Sequence, residues 1–142
     1  MRWEPLVETT QIKGDSEAHP ALSPDDQFAD YGTWDKADIA GFQAKEPEML
    51  PFEYSRSALQ VGLQQEQSLG INPFKFGQIG STDAHTSVAT TRDENYWGKM
   101  PTSDPSKDRW EHYVIRSIGG DESLSTFEYE TLASGLAGVW AR

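Results

Sequence analysis

Asp83 and His85 stand one residue apart in the segment Gly80-Ser81-Thr82-Asp83-Ala84-His85-Thr86. In an extended backbone, side chains at i and i+2 point to the same side, so this carboxylate and imidazole would converge on one spot. An oxygen and a neutral ring nitrogen together suit zinc, manganese or iron. The chain has no cysteine, which removes thiolate ligands, disulfides and thiol nucleophiles together. A plainer role fits the same residues: Ser81, Thr82 or Asp83 could cap a helix beginning near Ala84, leaving His85 as polar surface. Asp-x-His is short and common, and spacing alone favours the cap.

A second group lies near the N-terminus. Glu8 would stand near the end of a short β-branched strand, and Asp15, Glu17 and His19 alternate in Gly14-Asp15-Ser16-Glu17-Ala18-His19. Alternation could turn all three toward one side of an extended loop, as a rim that completes or shields a metal site. An acidic loop solvated after a strand explains them equally well. Lys13 either neutralises a substrate phosphate or balances Asp15 and Glu17. His112, in Trp110-Glu111-His112-Tyr113, reads as structural, while Arg92 and Arg109 are anion contacts without a pattern. Ser81 and Thr86 suit the orientation of a loop or its waters better than nucleophilic attack, since no general base pairs with them. No catalytic residue is assigned.

The elements that would position these groups are legible in part. Residues 5–12 read as a strand, stopped by Lys13-Gly14-Asp15. Residues 16–50 show little periodicity and are punctuated by Pro20, Pro24 and Pro47. Their interspersed Phe28, Tyr31, Trp34 and Phe42 suggest an ordered lid that packs on something. Residues 51–69 read as one helix with Pro51 at its first position, Gly70 as its stop and Gly62 as a close-packing point. Its stripe of Phe52, Leu59, Leu63 and Leu69 is expected to be core. Residues 73–80 form a strand after that helix, and Asp83 follows directly, as in α/β proteins, where sites gather at strand C-termini. Residues 91–122 read as a second polar insert with a turn at Gly119-Gly120-Asp121, and residues 135–141 as a buried strand.

Composition narrows the function classes. The 142 residues have the length of one domain, and five Trp, five Tyr and six Phe are not the composition of a disordered chain. With 12 Lys and Arg against 23 Asp and Glu, the net charge is −11. Such a balance repels phosphate backbones and anionic lipid, so neither nucleic acid nor membrane is an expected partner. No apolar run approaches membrane-spanning length, and Met1-Arg2-Trp3-Glu4-Pro5 is not a signal peptide. The expected protein is soluble, with its compartment unassigned.

The Gly80–Thr86 segment resembles the Gly-Ser-Asp-x-His sequence that closes the metal site of PHP (polymerase and histidinol phosphatase) domains. Much of the chain looks like one large set of PHP-like proteins labelled as a domain of unknown function. The likeness runs through residues 3–15, Ser16-Glu17-Ala18-His19-Pro20, Glu48-Met49-Leu50-Pro51, Asn72-Pro73-Phe74-Lys75-Phe76-Gly77, Trp110-Glu111 and Ala133-Ser134-Gly135-Leu136-Ala137-Gly138-Val139-Trp140. It implies an α/β fold in which residues 1–142 form part of a distorted (β/α) TIM-like barrel, with residues 16–50 and 91–122 as loop inserts. It also implies several divalent ions, and hydrolysis of a small-molecule ester, usually a phosphoester, by metal-activated water. Asp83 and His85 would be direct ligands, followed by Glu17 and His19 and then Glu8. PHP enzymes open with a His-x-His pair; this chain has only His19, His85 and His112. The expectation is therefore a C-terminal-half fragment of a metal-dependent hydrolase, inactive by itself. Two alternatives stand beside it: a non-catalytic acidic α/β interaction module that pairs with another copy through exposed barrel edges, and an amidohydrolase-type metal hydrolase.

Overall fold

The β-branched Val7, Thr9 and Thr10 favour an extended backbone, and they lie in β1 (Leu6–Gln11), the central strand of a three-stranded sheet. A computed structural model describes residues 4–86, 106–131 and 137–141. β1 turns back through Ile12 and Lys13 into the short β2 (Gly14–Asp15), which pairs antiparallel with Thr10 opposite Asp15. On its other side β1 pairs in parallel with β3 (Gly77–Gly80), from Leu6 opposite Gly77 to Thr10 opposite Gly80. The register slips between Glu8 and Thr10, and beyond it the Ser81 N–H still reaches the Thr10 carbonyl at 3.1 Å. Parallel neighbours need a long crossover, and this one contains α1 (Ser55–Leu69). The expected strand over residues 73–80 is thus confined to its last four positions, after a turn in which the Phe74 N–H is held by Asn72.

The single helix expected over residues 51–69 is two elements. Pro47–Phe52 is a 3-10 helix with Pro51 inside it, Tyr54 is extended (φ −114°, ψ 135°), and α1 begins only at Ser55. Long-range partners set that start. The Ser55 and Arg56 N–H groups donate to the carbonyls of Ser16 and Glu17 at 2.9 and 3.0 Å, which satisfies two of the donors that open any helix. Gly70 ends the helix in the left-handed region, as expected. Gly62 is a close-packing point, because a Cβ there would strike the Asn72 amide. The Leu stripe is not core, however. Phe52, Leu63 and Leu69 are 89%, 64% and 70% exposed, and the buried positions of α1 are the small residues Ser55 and Gly62. Small side chains let residues 16–17 and Asn72 approach this face, and no layer covers the other among the described residues.

The buried apolar residues Ile12, Ala18, Ala29, Ala37, Leu50 and Tyr54 gather where residues 16–50 fold onto the β1–β2 turn. Backbone bonds order that loop: Asp15 N–H to the Gly32 carbonyl at 2.9 Å, Lys45 N–H to the Lys36 carbonyl at 3.1 Å, and an isolated bridge between Ala37 and Ala44. Of its aromatics, Trp34 is half-buried against the β1–β2 turn, whereas Phe28, Tyr31 and Phe42 are exposed and do not supply the packing expected of them.

A second, two-stranded sheet pairs β4 (Tyr113–Ile115) antiparallel with β5 (Thr126–Phe127), so the expected insert over residues 91–122 carries regular structure in its described part. Phe127 stacks on Tyr113 at 4.5 Å, and the Ile118 N–H donates to the Ala40 carbonyl, fastening this unit to the loop. Within the C-terminal segment expected to be a buried strand, residues 137–141 have no regular structure, and Trp140 is 98% exposed. Residues 135–136 lie outside the described residues. The fold shown is mixed α/β with small sheets. Among the described residues, no helix is long and apolar enough to cross a membrane.

Candidate functional site at the ends of parallel strands

Because β1 and β3 are parallel, their C-terminal ends open on one side of the sheet. A cavity of about 380 Å³ lies there. Gln11, Ile12 and Lys13 line it from the end of β1, and Asp83 from just past β3. Trp34 and Lys45 come from the loop, Tyr54 from the extended joint before α1, and Val114 and Ile115 from β4.

Asp83 reaches this position through a sharp turn. Its φ is 53°, in the left-handed region that aspartate tolerates better than most residues. The Ala84 N–H donates to the Thr82 hydroxyl at 3.2 Å, which supports the turn. Residues 81–86 are therefore neither extended nor helical, and the helix expected near Ala84 in the capping alternative does not begin there. The turn nevertheless brings the two side chains together, with Asp83 Oδ1 and His85 Nε2 at hydrogen-bonding distance, 3.3 Å. Two ligands bound at about 2.0–2.1 Å to one tetrahedral ion lie roughly 3.3–3.4 Å from each other. Both side chains are open to solvent, with 35% and 54% of their surface exposed.

The other expected ligands go elsewhere. Glu8 is mid-strand, not at the strand end, and accepts from the Gln11 amide at 2.7 Å. Asp15 turns its carboxylate back to the N–H groups of Glu17 and Ala18, so Asp15, Glu17 and His19 do not share a face. Glu17 pairs with Arg56 at 2.8 Å. His19 is buried with both ring nitrogens engaged: Nδ1 accepts from the Ala21 N–H, so Nε2 holds the proton and donates to Asp35 at 3.1 Å. Among the described residues, no three His, Asp or Glu side chains form a group able to hold a metal. His112 belongs to the second sheet, where its carbonyl accepts the Glu128 N–H, and Arg109 donates to the Glu128 carbonyl at 3.0 Å. Arg92 lies outside the described residues.

The cavity also holds residues that sequence reasoning passed over. Tyr54 stands in the joint between two helices, a break that no residue type announces. Burial, with Asp35, Glu53 and Asp15 nearby, pushes its phenol up to about 12, so it remains a proton donor at neutral pH. Lys45 is ion-paired with Glu53. Lys13 is half-buried, and its pKa is lowered by burial even though Glu8, Asp15 and Glu53 pull the other way.

The fold and site define a mixed α/β protein with a cavity of mixed apolar and charged lining beyond the C-terminal ends of two parallel strands. The chain belongs to the DUF3604 family, described as a protein of unknown function, whose match spans residues 1–142. Comparison with curated proteins and with solved structures finds no match.

Proposed function

We propose that this chain is part of a PHP-like, metal-dependent hydrolase of small-molecule esters, chiefly phosphoesters, with Asp83 and His85 among its ligands to zinc, manganese or iron. The observation that carries the reading is the 3.3 Å approach of Asp83 Oδ1 to His85 Nε2 beyond parallel strands. Catalytic metal sites in proteins commonly take three side-chain ligands and leave a position for water. Asp83 and His85 fit as two of them. Glu17 and His19 fit less well while Arg56 and Asp35 hold them, so the reading looks for the remaining ligands beyond the described residues. A bound ion supplies an acidified water and positive charge for developing oxyanions. The β1–α1–β3 unit with its parallel strands is compatible with a segment of a (β/α) barrel.

Zinc titration followed through the imidazole NMR signals tests the ligand assignment, because the chain has only three histidines. The His85 signals should shift at the lowest zinc concentrations, and Asp83→Ala should abolish that shift. Signals of His19 moving first, or none moving, would contradict the assignment.

One observation favours a second reading, a non-catalytic module that pairs with another copy of itself. Phe52, Leu63, Leu69 and Ile71 leave an apolar surface uncovered along α1. That module would be indifferent to zinc and to chelators, so the same titration separates the two.

A further inference from the structure

We propose that the cavity beyond β1 and β3 is a carbohydrate subsite for a single neutral pyranose, with a C–H face on the Trp34 ring and hydroxyls bonded to Tyr54, Ser16 and Lys13. The inference rests on the hydrolase reading only for the reaction, in which the sugar is the alcohol that carries the ester; the binding stands without it.

The wall sets the charge of the occupant. Asp15, Glu53 and Asp83 line the cavity together with Lys13 and Lys45. An anion meets three carboxylates there, and a cation meets two ammonium groups. Desolvating either one beside like charge is costly. A hydroxyl is uncharged and both donates and accepts, so a neutral polyol bonds to either kind of group. Bonds with one ionised partner are also stronger than those between neutral groups.

Unused hydrogen-bonding groups line the same space. Tyr54 is only 6% exposed, yet its hydroxyl bonds no group among the described residues. A buried tyrosine hydroxyl usually has a partner. Burial and the nearby acids keep this one protonated, and so a donor. Ser16 spends its backbone N–H on Thr9 and its carbonyl on Ser55, while its hydroxyl and the Lys13 ammonium have no bond among the described residues.

The remaining wall is apolar, with Ile12, Ile39, Val114 and Ile115 beside the half-buried Trp34. A pyranose presents C–H groups on one face, and these settle on the negative face of an aromatic ring. Its hydroxyls project from the rim toward the polar side. The volume of about 380 Å³ lies within the range of small-molecule sites, roughly 300–1,000 Å³.

Ligand-detected NMR with the methyl glycosides of glucose, galactose, mannose and xylose tests the subsite on the full chain, with a chelator present so that no metal takes part. At least one glycoside should bind saturably, and more tightly than leucine or phenyl phosphate, a zwitterion and an anion of similar size. Trp34→Ala should weaken that glycoside about tenfold or more, and Trp34→Phe, which keeps a ring, should recover part of the loss. Tyr54→Phe should weaken it about 2- to 10-fold, the worth of one neutral hydrogen bond. That variant removes only an unbonded hydroxyl, so an unchanged thermal midpoint shows that the loss is one of contact. Trp140→Ala, at a position 98% exposed and outside the cavity, should bind as wild type does. Binding of no glycoside, tighter binding of leucine or phenyl phosphate, or full affinity in both Trp34→Ala and Tyr54→Phe overturns the proposal. A failed zinc titration with intact Trp34-dependent binding would sink the hydrolase reading and leave the subsite standing; zinc at His85 with no glycoside bound would do the reverse.

Discussion

Arg56 ties together three side chains that lie 30, 33 and 39 residues before it in sequence. Its guanidinium donates to Glu17 at 2.8 Å, to Asp26 at 2.7 Å and to the Ser23 hydroxyl at 3.3 Å. The bond from Arg56, helped by the Phe28 N–H, holds the Asp26 carboxyl below its ordinary range, and Lys75 with Asn72 does the same for Glu66. A carboxyl whose folded pKa is depressed stabilises the fold fully above its unfolded value of about 4, and loses that contribution as pH falls through the depressed one. The urea midpoint should accordingly hold steady from neutral pH down to about 5 and then fall below about 4. Arg56→Met should lower the midpoint at neutral pH and flatten part of the acid fall, which urea titrations at several pH values will show. These contacts explain why the residue types were easier to find than their roles. The sequence marks Glu17 and His19 as polar groups of the right kind, but their partners Arg56 and Asp35 are 39 and 16 residues away. Asp83 and His85 were legible because both members sit in one short turn.

At the scale of elements, local signals succeeded where local forces decide. β-branched residues mark β1, Gly70 ends α1, and Gly77–Gly80 leads into the Asp83 turn. They failed where distant backbone decides: α1 starts at Ser55, where Ser16 and Glu17 offer carbonyls, while Pro51 lies inside the preceding 3-10 helix. The apolar stripe of α1 misled for a related reason, since periodicity reports a face able to be buried and not whether anything covers it. The β1–β2 turn is the element on which the loop depends most. Gly14 has φ 92°, and a Cβ on it would collide with the Gly32 carbonyl oxygen that receives the Asp15 N–H. Gly14→Ala should therefore destabilise the protein by about 2 kcal/mol or more, through backbone strain and the displaced loop. Urea denaturation measures it, and a loss under about 0.5 kcal/mol, the range of unremarkable surface changes, would contradict the packing of loop on turn.

The whole molecule combines a net charge of −11 with a cavity that Lys13 and Asp83 line beyond the parallel strand ends. Charge and membership of the DUF3604 family hold for the entire chain, whereas the expected barrel exceeds what β2-β1-β3 and β4-β5 display. A barrel is a property of closure, and two small sheets do not reveal how a larger sheet would close. The proposed metal site would likewise be collective, because two ligands invite an ion and further ligands retain it. Elemental mass spectrometry of the purified chain, wild type against Asp83→Ala/His85→Ala, weighs the hydrolase reading as a whole. Zinc, manganese or iron retained by wild type and lost from the double variant is the predicted result; wild type without metal, or metal that survives the double substitution, would contradict it.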